Sequence, residues 1–82
     1  MHYKIVETGS GYPDVLLHRD RDGTGEFVRI LAVGIVSGDE NMFAIERVDF
    51  ENYTTAIRFI KDFSKLSAEQ WCTEQGIDYW GA

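Results

Sequence analysis

The chain has a single cysteine, Cys72, so no disulfide can close within it and no all-cysteine zinc site can assemble from one copy. Histidine is nearly as scarce. His2 and His18 have no cluster of further metal ligands beside them, and neither a catalytic metal site nor a cofactor is expected. No apolar run reaches the length that spans a bilayer, and the residues after Met1 lack the basic-then-apolar order of a secretory leader. A soluble cytoplasmic protein is the expectation. Basic residues are few as well: 8 Lys and Arg stand against 14 Asp and Glu, a net charge of −6. That balance opposes binding to a nucleic-acid backbone or an anionic membrane and suits a basic partner.

What the chain does contain is apolar surface, 44% of its residues with 13% aromatic, too much for a wholly disordered polypeptide. Its 82 residues are expected to form one domain, residues 1–82. The most apolar stretch is Phe27 to Val36, FVRILAVGIV, with one charge in it. Read at a two-residue period, Phe27, Leu31, Val33 and Ile35 point one way and Val28, Ile30, Ala32 and Val36 the other. A strand apolar on both sides belongs in the middle of a sheet, and its β-branched content favours strand over helix. Gly34 marks a bulge or a close approach by a helix.

Three more strands surround it. His2 to Thr8 (HYKIVET) reads as the first, followed by a turn-dense GSGYP from Gly9 to Pro13. Asp14 to Arg19 (DVLLHR) is the second, with Val15 and Leu17 on one face and Leu16 and His18 on the other. Asp22-Gly23 signals a hairpin into the central strand, and Ser37 to Asn41 (SGDEN) a hairpin out of it. Met42–Val48 (MFAIERV) is the fourth strand.

The period then changes. Tyr53, Ala56, Ile57, Ile60 and Phe63 recur at three- and four-residue steps and fill an arc of about 160° on a helix. Asp49 or Asn52 is available as its N-cap. A second, shorter helix is marked by Ser67 as N-cap with Gln70 completing a capping box, by Leu66 and Trp71 as a hydrophobic staple, and by Gly76 as the left-handed terminator that folds Ile77 back towards Cys72. The expected fold is therefore α+β. A four-stranded antiparallel sheet in ββββαα order, a meander, carries one long and one short C-terminal helix on one face. The other face of the sheet is left for the Tyr79-Trp80 tail, the second helix or another copy.

Asp20-Arg21-Asp22-Gly23-Thr24 resembles the DxDGT motif of haloacid dehalogenase-type phosphatases, which implies Asp20 as nucleophile and Asp22 as general acid/base. That family requires a parallel sheet with helical crossovers, whereas strand follows strand here, so an Asp-Gly turn is the preferred reading. The same loop resembles the start of a calcium-binding EF-hand loop, but its twelfth position is Leu31 and no helix flanks it. Cys72, between Trp71 and Thr73, reads as a small buried hydrophobe. Arg58, Lys61 and Lys65 form a basic stripe that suits the last turns of a helix.

Acidic groups gather in three places: Asp39 and Glu40 at a hairpin tip; Glu46, Asp49 and Glu51 where the fourth strand enters the helix; and Glu69, Glu74 and Asp78 near the end. In size and charge the chain looks like the small inhibitors encoded by phages and other mobile elements. The expectation is a non-catalytic protein-binding module, an inhibitor whose carboxylates mimic nucleic acid and cover a basic surface of a larger protein. Asp39, Glu40, Glu46, Asp49 and Glu51, with Tyr79 and Trp80 as anchors, are the expected partner-binding residues. Two alternatives stand beside it: a small metal-dependent enzyme or ion-binding protein using Asp20 and Asp22, and a homodimeric structural subunit.

Overall fold

Strands β1 (Tyr3–Val6), β2 (Asp14–Asp22), β3 (Gly25–Val33) and β4 (Ile45–Phe50) form one antiparallel sheet in the order β1-β2-β3-β4. Helices α1 (Tyr53–Asp62) and α2 (Lys65–Glu74) follow. The computed structural model describes residues 3–8, 12–33 and 45–77. This is the α+β meander that the short connections imply. His2, Gly34, Ile35, Val36 and the expected hairpin and strand start at 37–44 lie outside the described residues.

The central strand sorts its residues by alternation. Val28, Ile30 and Ala32 are buried in the main core, opposite Val15 and Leu17 of β2 and beneath Ala56 and Ile60 of α1 and Ala68, Trp71 and Cys72 of α2. Leu31 and Val33 face away, on the side where neither described helix lies. Phe27 points the same open way yet is only 2% exposed. The guanidinium groups of Arg29 and Arg47 lie 4.8 and 3.9 Å from its ring centroid and cover it, each attracted to the aromatic face.

The β2–β3 hairpin is tighter than expected. Pairing runs to Asp22↔Gly25, leaving Gly23 and Thr24 as a two-residue turn. Gly25 has φ +129°, a conformation that residues with a Cβ rarely adopt, and this allows the strand to resume at once. β4 also runs two residues further than its expected end at Val48, because the alternation continues and places Phe50 against Phe59, with ring centroids 5.2 Å apart. Asp49 is consequently a strand residue. Asn52 is the N-cap of α1, its Oδ1 accepting from the Thr55 N–H at 2.9 Å.

The second helix departs from expectation at its start. Ser64, not Ser67, is the N-cap; its Oγ accepts from the Ser67 N–H at 3.2 Å, so α2 begins a turn earlier and matches α1 at 10 residues. The proposed staple does not form, and Leu66 is 73% exposed. Trp71 is buried because the earlier start leaves the helical frame intact, with Ala68, Trp71 and Cys72 on one side. The helix end is as expected. Gly76 has φ +73°, its N–H donates to Thr73 O, and the Ile77 N–H donates to Cys72 O at 2.9 Å.

Two polar devices tie the helices to the sheet. Lys4 of β1 donates from Nζ to the carbonyls of Ile60, Lys61 and Phe63 at 2.8–3.3 Å, placing a cation on the negative end of α1. Arg19 and Glu26 form a buried ion pair on the covered face, with the Arg19 guanidinium 4.7 Å from the Tyr53 ring centroid. Arg21 adds a second contact to Glu26 at 3.1 Å.

Candidate functional site

The Asp20–Thr24 segment is the β2–β3 hairpin tip, and its carboxylates are already engaged. Asp22 accepts from the N–H and hydroxyl of Thr24 and from Arg47 Nη2 at 3.1 Å. The Thr24 hydroxyl, then its N–H, then Arg47 stabilise the anion and lower its pKa to about 2. Asp20 accepts from the Arg21 N–H and lies 3.8 Å from Arg29. An arginine beside each aspartate supplies the charge that a bound cation would supply in the resembled motifs. Among the described residues, no group of three or more His, Cys, Asp or Glu is placed to hold a metal ion. The parallel sheet of the phosphatase resemblance is absent, since every described strand pair is antiparallel. Cys72 is buried, and burial and then the Glu69 carboxylate push its thiol pKa up, which keeps it protonated and a poor nucleophile.

The expected acidic cluster at the end of β4 is divided by the sheet. Glu46 and Asp49 are three residues apart on a strand, so they point to opposite faces. Asp49 lies on the open face and accepts from Arg47 Nε at 2.9 Å. Glu51 is exposed in the short connection to α1. Glu46 turns towards the helices, where its Oε1 accepts from Trp71 Nε1 at 2.7 Å and from Gln75 Nε2 at 3.4 Å. Asp39, Glu40, Tyr79 and Trp80 lie outside the described residues.

Beside Glu46 runs a groove of about 300 Å³ between β4 and α2. Ile30, Val48, Phe59, Phe63 and Trp71 form its apolar walls, and Glu46 and Glu74 its acidic side. The Trp71 indole holds one oxygen of Glu46 in place, and among the described residues no lysine or arginine pairs with that carboxylate. Four other carboxylates of the sheet, Asp20, Asp22, Glu26 and Asp49, each have an arginine.

The open face is organised in cross-strand rows. Ile5, Leu16 and Leu31 occupy one row in register, and Tyr3, His18, Arg29 and Arg47 the next. Tyr3, Ile5 and Val33 are 62%, 54% and 39% exposed. The importance of Trp71 to Glu46 was not visible in the sequence, because it depends on which face of β4 the second helix meets. The alternation of MFAIERV already put Glu46 on the face of Val48, and that was the available signal.

The chain matches no protein-family model, and no curated protein or solved structure matches it.

Proposed function

We propose that this chain is a small, non-catalytic protein-binding module whose partner presents a basic surface, and in its sharper form an inhibitor that covers a nucleic-acid-binding surface of a larger protein. The observation that supports it is how the charges divide. The four arginines of the sheet are matched within the chain by Asp20, Asp22, Glu26 and Asp49. Those pairs cancel, so the net −6 is carried by residues outside them, among which Glu46, Glu51, Glu69 and Glu74 have no ion-pair partner among the described residues. A surface of this kind speeds association with a basic partner and fixes orientation. Asp49, expected among the partner-binding residues, is engaged by Arg47 and contributes little.

Affinity capture from native lysate, with and without nuclease, supplies the partner for the test. Binding should weaken as salt is raised, and Glu46→Lys with Glu51→Lys should slow association more than it speeds dissociation. A partner whose binding ignores both salt and these substitutions contradicts the proposal.

A second reading, a homodimeric subunit, is favoured by the exposed Tyr3, Ile5 and Val33 on the open face, apolar surface of the sort that docks protein. It predicts a dimer in sedimentation that Ile5→Lys dissociates. A monomer at all concentrations removes it.

A further inference from the structure

We infer that the groove between β4 and α2 is the seat of one arginine side chain from the partner. The inference rests on the basic-partner proposal and names where that partner is held.

Three observations lead to it. The groove has an unmatched carboxylate in it: Glu46 is half-buried, and its Oε1 is fixed by the Trp71 indole N–H at 2.7 Å. Among the described residues nothing meets Oε2, so that oxygen is oriented and available. The walls beside it are aromatic, with Phe59, Phe63 and Trp71 around a space of about 300 Å³. A guanidinium is planar, weakly hydrated and able to stack on a ring while donating to a carboxylate, which suits this lining better than the compact, strongly hydrated ammonium of lysine. Glu74, exposed at the same groove, adds a second negative charge at the mouth. A purely apolar occupant would leave Glu46 charged and cut off from water, which is costly. A second copy of the chain brings a further net −6 to the same surface, and its sheet arginines are already paired. Charge therefore selects a basic partner over self-association.

The test is a titration of the full chain with acetyl-Val-Arg-Val-amide, followed by two-dimensional NMR. The Trp71 indole signal is assigned with a Trp80→Phe variant. The arginine peptide should move the Trp71 indole N–H and the backbone amides of Glu46, Arg47 and Val48. The citrulline analogue, the same shape without the charge, should bind at least about tenfold more weakly, and Glu46→Gln should cause a similar loss, as when a charge-assisted hydrogen bond becomes neutral. Should Glu46→Gln fail to fold, exposed Glu74→Gln takes its place, with a smaller loss expected.

Equal binding of the citrulline peptide, or shifts confined to Glu51 and Glu69, overturns the arginine seat. So does an oligomer that Arg58→Ala dissociates, which makes the occupant a second copy. If the captured partner binds Glu46→Gln like wild type yet loses affinity with salt and with Glu51→Lys, the seat is wrong and the basic-partner proposal stands. If binding ignores salt altogether, both fall.

Discussion

The two faces of the sheet hold charge under opposite conditions. On the covered face, the side chains of Arg19 and Glu26 are 8% and 10% exposed, and Arg19 lies under Tyr53 of α1. On the open face, Arg47 reaches Asp22 and Asp49 at 3.1 and 2.9 Å, but all three side chains are 39–68% exposed. The contacts are alike in kind, arginine to carboxylate, and β2 contributes to both faces. Burial, rather than distance, decides what each is worth. In water an ion pair gives up little when broken, whereas a buried charge that loses its partner has nowhere to go.

The sharpest way to break this contrast is to remove one partner on each face. Glu26→Ala leaves the Arg19 charge buried and should destabilise the fold by about 3–5 kcal/mol in denaturant unfolding. A loss below about 1 kcal/mol would contradict the contrast, since the buried pair would then count for no more than an exposed one. The helices that create the covered face come next. Ser64→Ala should cost about 1 kcal/mol through the lost N-cap, and Ser67→Ala should be nearly neutral. A reversed order would return the start of α2 to Ser67. Gly76→Val should also cost about 1 kcal/mol or more, because φ +73° suits a β-branched residue poorly.

Effects on the open face are smaller. Asp49→Asn should cost about 0–1 kcal/mol, and less in high salt. Asp22 supplies a pH test. Its folded-state pKa is depressed from 3.8 to about 2, so its stabilising contribution is complete above 3.8 and is lost as pH falls through about 2. The stability difference between wild type and Asp22→Asn should therefore shrink across that interval. Parallel acid-unfolding curves would show that the Thr24 and Arg47 contacts do not hold the anion in solution.

Much of this fold was legible because strand alternation is local. FVRILAVGIV announced a central strand, and from Phe27 to Val33 its two sets of residues sort to the two faces as their period requires. The Gly76 terminator was legible for the same reason, since a left-handed glycine and the fold-back of Ile77 involve only neighbouring residues. Helix starts were harder. Ser64 and Ser67 both offer a hydroxyl ahead of a helical segment, and the choice depends on where α1 ends at Phe63, beside the Lys4 ammonium 59 residues away. The site was legible only in part. Glu46, Asp49 and Glu51 are close in sequence and looked like one acidic cluster, but the pleat separates the first two and Arg47 neutralises the second. The pairing of Glu46 with Trp71 spans 25 residues and two elements, and no local pattern announces it.

Glu46 is assigned to binding, whereas its paired neighbours on the sheet, Asp22, Glu26 and Asp49, are assigned to folding. Glu46→Gln keeps an oxygen to accept from the Trp71 indole and removes only the charge. Thermal unfolding and arginine-peptide titration of that one variant separate the two roles. The expected result is an unchanged unfolding midpoint with affinity reduced at least about tenfold. A lowered midpoint with unchanged affinity would place Glu46 with Glu26, as a carboxylate that holds the fold together and nothing more.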